Sequence, residues 1–250
     1  RPVLVWLHGG GFTNGNAIEQ DGYKGENISR YGDVVFVSMN HRLGPIGFSD
    51  FSGVDGKAFA ESGNVGILDL VAGLKWVHNN IEQFGGDPGN VTIMGQSGGG
   101  AKVCTLVAMP ETKGLLHKAV ALSGNITGAI SSSYSAELGK AILKEAGLQP
   151  SQMGKLQQMP WLDYIALANR AAAKLDKQKG GSGMMRGAFG PVGDGFHVPA
   201  ETFYSDPEGP STDVPMLFCT TTCEFSLSRD NAAMEKMDKA QLIETVTRMK

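Results

Sequence analysis

Residues 91–102 read Val-Thr-Ile-Met-Gly-Gln-Ser-Gly-Gly-Gly-Ala-Lys. A run of β-branched and apolar residues meets glycine, glutamine, serine and three more glycines, and small and apolar residues then continue to Met109. A chain that passes from strand to helix within one or two residues turns through a strained conformation, which leaves room only for glycine on either side. The stretch therefore predicts a strand, a sharp turn with Ser97 at its apex, and a helix directly behind it.

Four further apolar runs have the length of buried strands: residues 2–7 (PVLVWL), 33–40 (DVVFVSMN), 118–124 (KAVALSG) and 213–220 (DVPMLFCT). Helical patterns lie between them. Ile67, Val71, Leu74, Val77 and Ile81 recur at steps of three and four, Asn64 can cap that helix, and Gly85-Gly86 with Pro88 stops it. Strands alternating with helices predict an α/β fold built on a mostly parallel sheet flanked by helices. The 35 glycines, about twice the usual share, fit tight turns around such a sheet.

The texture divides the chain into three parts: a core over residues 1–124, a mostly helical insertion over 125–213, and a return to the core over 214–250. In the insertion, residues 131–149, 151–159 and 161–176 read as successive amphipathic helices, followed by a Gly-rich stretch at 179–187, with no strand before about Phe189. A net charge of -3 gives no footprint for nucleic acid or an anionic membrane. No apolar run approaches the roughly 18 residues that span a bilayer. Cys219 and Cys223 stand as a C-x3-C pair, but no second Cys/His pair at zinc spacing accompanies them, and Cys104 lies far away in sequence. The three cysteines read as small buried side chains.

Ser97 between Gly95 and Gly99 has the layout of a nucleophile elbow, in which the turn presents a serine oxygen to a carbonyl. A phosphate-binding loop would need a Lys-Ser/Thr that is absent here. The helix N-terminus behind Ser97 adds backbone N–H groups and partial positive charge. After the first strand comes Leu7-His8-Gly9-Gly10-Gly11-Phe12. Consecutive glycines can aim N–H groups at a developing oxyanion, so Gly10, Gly11 and Gly98 are the expected oxyanion donors.

These segments, together with "NHRLGPIGF", "GNVGILD", "LKWVHNNIEQFGGDPGNVTIMGQSGGG" and "FGPVGDG", resemble the type-B carboxylesterase family, the cholinesterase-like branch of the α/β-hydrolases. The resemblance covers about residues 2–124 and 188–226. It implies an α/β-hydrolase fold, an acyl-enzyme mechanism on small carboxylic esters, and no metal or organic cofactor. It also implies a glutamate as the acid of the triad, in a run after a strand; Glu224 stands there in "MLFCTTTCEF", and Asp194 in "PVGDG" is the rival. Gln96 replaces a common glutamate, which lessens any preference for cationic substrates. His41 replaces a usual tyrosine, with a packing role expected. Arg42 and Asp69 match a structural ion pair. Relatives are often exported, which points to a secreted or periplasmic location by resemblance alone. Some cholinesterase-like proteins are instead adhesion modules, which commonly lack the serine retained here, and the fold also serves amide hydrolysis.

The triad further needs a histidine. The chain has His8, His41, His78, His117 and His197; His197 is the one expected near the site, and His8 is expected to hold the glycine loop. In this fold the histidine follows the acid, whereas all five precede Glu224 and none lies in 225–250. The expectation is a piece of a longer protein, lacking the family's N-terminal strands and C-terminal third, with the catalytic histidine absent and turnover weak.

Overall fold

The computed structural model describes residues 1–54, 58–178, 189–200, 202–204, 209–210, 213–222, 224 and 236–248. Its centre is a five-stranded sheet formed by β1 (Val3–Leu7), β2 (Val35–Met39), β3 (Val91–Gln96), β4 (Lys118–Leu122) and β7 (Met216–Cys219). The spatial order is β2-β1-β3-β4-β7 and every pairing is parallel. All five predicted strands are present. Alternate residues of β1 and β3 are buried on the inner face, from Val3, Val5 and Leu7 to Val91, Ile93 and Gly95, as a period-two backbone requires.

Parallel neighbours need crossover connections, and helices supply them. These are α1 (Glu26–Gly32), α3 (Val65–Asn80) and α4 (Gly98–Ala108). Along α3, Ile67, Leu70, Val71, Leu74 and Val77 are buried at three- and four-residue steps, the stripe read from the sequence. Every residue of α4 is buried. Two shorter elements, α2 (Gly44–Phe48) and β5 (Ile130–Ser131), precede the helical part, where α5 (Ser132–Glu145) and α6 (Trp161–Gln178) pack on each other. A last helix, α7, spans Lys239–Arg248. None of the described helices is long and apolar enough to cross a membrane.

The structure departs from the sequence expectation at three places here. Residues Pro150–Gln158 form a 3-10 run rather than an α-helix, consistent with proline at its start and only Met153 and Leu156 buried. A short parallel ladder joins β5 to β6 (Val192–Gly193), so the helical part is not strand-free. Asn64 heads α3 without capping it through its side chain. That side chain instead accepts from the Val192 N–H at 2.8 Å and donates to the Val192 carbonyl at 2.9 Å and to Asp194 at 2.8 Å. The Gly-rich stretch at 179–187 lies outside the described residues.

In a parallel sheet whose order reverses, the loops leaving neighbouring strands part in opposite directions and open a crevice at the strands' C-terminal ends. Here the reversal falls between β1, which connects toward β2, and β3, which connects toward β4. The residues at those two C-terminal ends are His8 with the glycine loop and Ser97.

Candidate active site

Ser97 follows β3 directly and has φ 56 and ψ -123, one of three positive-φ residues other than glycine among those described. Its backbone is fixed on both sides: its N–H donates to the Leu122 carbonyl at 2.8 Å, and its carbonyl accepts from the Ala101 N–H at 3.1 Å. The half-buried side chain does not cap α4. A β-carbon on Gly95 would collide with the Gly99 backbone, and one on Gly99 with the Leu7 carbonyl. The elbow glycines are thus required by the close approach of β3, α4 and β1.

Beyond β1 the chain turns at Gly10 (φ 82) and Gly11 (φ 61). The Gly10 carbonyl is occupied by the N–H groups of Thr13 at 3.3 Å and Asn14 at 3.1 Å. A β-carbon on Gly98 would run into the N, Cα and O of Gly11, and one on Gly9 would touch the Ser97 β-carbon at 3.7 Å. The glycine loop and the first turn of α4 therefore abut beside Ser97. The N–H groups of Gly10, Gly11 and Gly98 have no backbone acceptor among the described residues. For Gly98 this is the ordinary state of a helix's first donors, which favour negative charge.

Glu224 lies beyond β7. Its carboxylate accepts from the Thr221 N–H at 2.6 Å. That bond, and after it one from the Ser123 hydroxyl, hold its pKa below the usual carboxylate value. Ser123 follows β4 at φ 50 and donates its N–H to the Cys219 carbonyl at 2.7 Å. Glu224 is thereby tied to the strand end whose Leu122 carbonyl anchors Ser97. Asp194, the rival acid, is committed elsewhere: its Oδ1 accepts from the N–H groups of Phe196, His197 and Val198 at 2.8–2.9 Å, and its Oδ2 from Asn64.

The histidines fall in four environments. His8 and His41 are stacked, with ring centroids 5.3 Å apart. Each turns Nδ1 to a carbonyl at 2.9 Å, that of Gly9 and that of Arg42 respectively, so Nδ1 carries the proton of the neutral ring. Both Nε2 atoms are buried with no hydrogen-bond partner. Burial is the first cause that lowers both pKa values, His41 to about 3. His117 accepts from the Val91 N–H at 3.2 Å, at the opposite end of β3 from Ser97. His78 is exposed on α3.

His197 departs from the expectation that it sits near the site. Its Nδ1 bonds to Glu111, and its Nε2 lies 3.4 Å from the Glu61 carboxylate. Glu111 follows the C-terminal end of α4, about 16 Å along the helix from Ser97 at 1.5 Å per residue. Proximity in sequence to the Asp194 turn gave no indication of this partner.

One residue that sequence reasoning passed over is Lys102. It has no exposed surface, donates to the His8 carbonyl at 2.8 Å, and stands 5.7 Å from the Phe12 ring centroid. Burial pushes its pKa down to about 7, against a raising effect from Glu19. Its one signal in the sequence, a single charge in a helix otherwise free of charge, does not show that the side chain is buried. The expected pair Arg42–Asp69 is present, with bonds of 2.8 and 2.7 Å between the side chains. Cys104 is buried as expected, Cys219 is exposed on the edge strand β7, and Cys223 lies outside the described residues. Among the described residues no group of three or more His, Cys, Asp or Glu could hold a metal ion.

Both the sequence and the fold have known relatives. The profile described as "Carboxylesterase family" matches residues 1–249. The chain is 36% identical to a para-nitrobenzyl esterase of Bacillus subtilis (strain 168) over 245 residues, covering 96% of this chain and 48% of that protein. It is 50% identical over 123 residues to liver carboxylesterase B-1 of Rattus norvegicus, covering 49% of this chain and 20% of that one. Among solved structures, a Geobacillus stearothermophilus carboxylesterase superposes with a TM-score of 0.80 at 33% identity, covering 99% of this chain and 50% of that one. The chain spans about half the length of the Bacillus and Geobacillus proteins. A parallel sheet whose reversal point holds a serine elbow against a glycine loop, matched from end to end by one profile, places the chain in the carboxylesterase family.

Proposed function

We propose that the whole protein hydrolyses small carboxylic esters through an acyl-enzyme on Ser97. The observation that carries this reading is the strained Ser97 backbone at the end of β3, abutted by the Gly9–Gly11 loop. A base removes the proton from the Ser97 hydroxyl as the oxygen attacks the ester carbonyl. The carbonyl π pair moves onto its oxygen, where the N–H groups of Gly10, Gly11 and Gly98 hold it; each such donor is worth about 3 kcal/mol. Collapse expels the alcohol, which takes the proton back from the base. Water then repeats the sequence on the acyl group and frees the acid and Ser97.

Glu224 orients the base, and the base is a histidine outside residues 1–250. Neither His8 nor His41 has a carboxylate on its Nδ1, which sits on a carbonyl instead, while His117 is on Val91 and His197 on Glu111. His78 is exposed on the crossover helix α3. The test is hydrolysis of a short aryl ester by the full-length protein, its Ser97→Ala variant, and residues 1–250 alone. Ser97→Ala is expected to lower kcat by about a thousandfold or more, and residues 1–250 to be nearly as slow. A Ser97-dependent rate in residues 1–250 equal to that of the full-length protein would contradict the external base.

A further inference from the structure

Lys102 is the one charged residue of α4, all of whose residues are buried. A buried ion loses several kcal/mol of hydration unless partners replace it. Among the described residues no carboxylate bonds to this ammonium; its partners are the His8 carbonyl at 2.8 Å and the face of Phe12 at 5.7 Å. Those two residues bracket Gly9-Gly10-Gly11. Lys102 itself lies one helical turn behind Gly98, four residues further along α4. A single side chain thus joins both ends of the glycine loop to the helix that begins with the Gly98 N–H.

The surroundings fit a restraint more than a solvation site. His8 is held by its own bond to the Gly9 carbonyl and by the stack on His41. His41 in turn bonds to the carbonyl of Arg42, which is fastened to Asp69. One end of the loop is thereby braced against the strand ends of β1 and β2, and Lys102 supplies the connection to α4.

We propose that Lys102 is a positioning residue for the oxyanion donors, clamping the Gly10 and Gly11 N–H groups in register with that of Gly98. The inference rests on the acyl-enzyme reading given above. The donors come from two elements, so their mutual placement needs a link between those elements. Displacements of about 1 Å in such a constellation cost up to a hundredfold in rate. Lys102 touches no reacting atom, and its removal acts through Gly10 and Gly11.

The test is Lys102→Met in the full-length protein, since methionine fills comparable space without the ammonium. Steady-state hydrolysis of a short aryl ester and the melting temperature at pH 7 are measured beside wild type and Ser97→Ala. The expected result is a kcat lower by about fivefold or more with KM within about twofold, and a Tm no more than about 3 °C below wild type. A kcat within about fivefold of wild type overturns the clamp, as does a KM change beyond about twofold. A kcat loss accompanied by a larger fall in Tm also overturns it, because the residue is then structural only. Ser97→Ala separates the two claims: activity surviving in that variant counts against the acyl-enzyme reading, whereas an inactive Ser97→Ala beside an unimpaired Lys102→Met counts against the clamp alone.

Discussion

At the scale of single residues, burial shifts two titratable groups near the glycine loop, His41 and Lys102. His41 has a folded pKa of about 3 against an ordinary 6.5, through burial first and the nearby Lys102 charge second. The unfolded ring takes a proton as pH falls through 6.5, while the folded ring resists until about 3. Its contribution to stability is therefore present above 6.5 and lost progressively as pH falls toward 3. Lys102, held at about 7 against 10.5, acts in the same direction: its contribution is full above 10.5 and lost as pH falls toward 7. His41→Phe is predicted to reduce the loss of unfolding free energy between pH 7 and 4.5 by about 2 kcal/mol, measured by urea titration at both values. An acid sensitivity unchanged in His41→Phe would contradict this account. Ser97 was legible in the sequence because steric demand leaves only glycine around such a turn. Lys102 was not, because a charge on a helix is expected to face water and only the assembled core shows that this one cannot. His197 was misplaced because its partner Glu111 lies 86 residues away in sequence.

At the scale of elements, the five strands were readable from their runs of apolar and β-branched residues, which have no other stable place than between two helical layers. The tie between α3 and β6 was not. Asn64 satisfies the rule for a helix cap, yet its amide bonds to both polar groups of Val192 and to Asp194, contacts that span about 130 residues and that no local pattern encodes. This amide also sets the Asp194 turn, whose carboxylate gathers three successive N–H groups. Asn64→Ala is predicted to cost about 1–3 kcal/mol, because the Val192 N–H is left buried without its acceptor, while the Val192 carbonyl keeps only the Asp194 N–H. Chemical denaturation of the two proteins checks this, and a change below about 0.5 kcal/mol would show that the tie is dispensable.

At the scale of the whole molecule, the topology selects the site before any side chain does. The strand order reverses between β1 and β3, and the two loops that part there carry the glycine run and Ser97. Glu224 reaches the same end of the sheet from β7 by way of Ser123. Ser97, the glycine loop and Glu224 thus come from three parallel strands, β3, β1 and β7, ending on one edge of the sheet, with Lys102 bridging two of the elements from behind. The claim at the centre of this account is that Ser97 is an activated nucleophile in the complete protein. Its most direct test is labelling of the full-length protein with a fluorophosphonate, followed by mass spectrometry of the peptide spanning residues 91–102. Stoichiometric phosphonylation at Ser97 is expected, abolished by Ser97→Ala and slowed through competition by a short ester substrate. A full-length protein that remains unlabelled at Ser97 would contradict it.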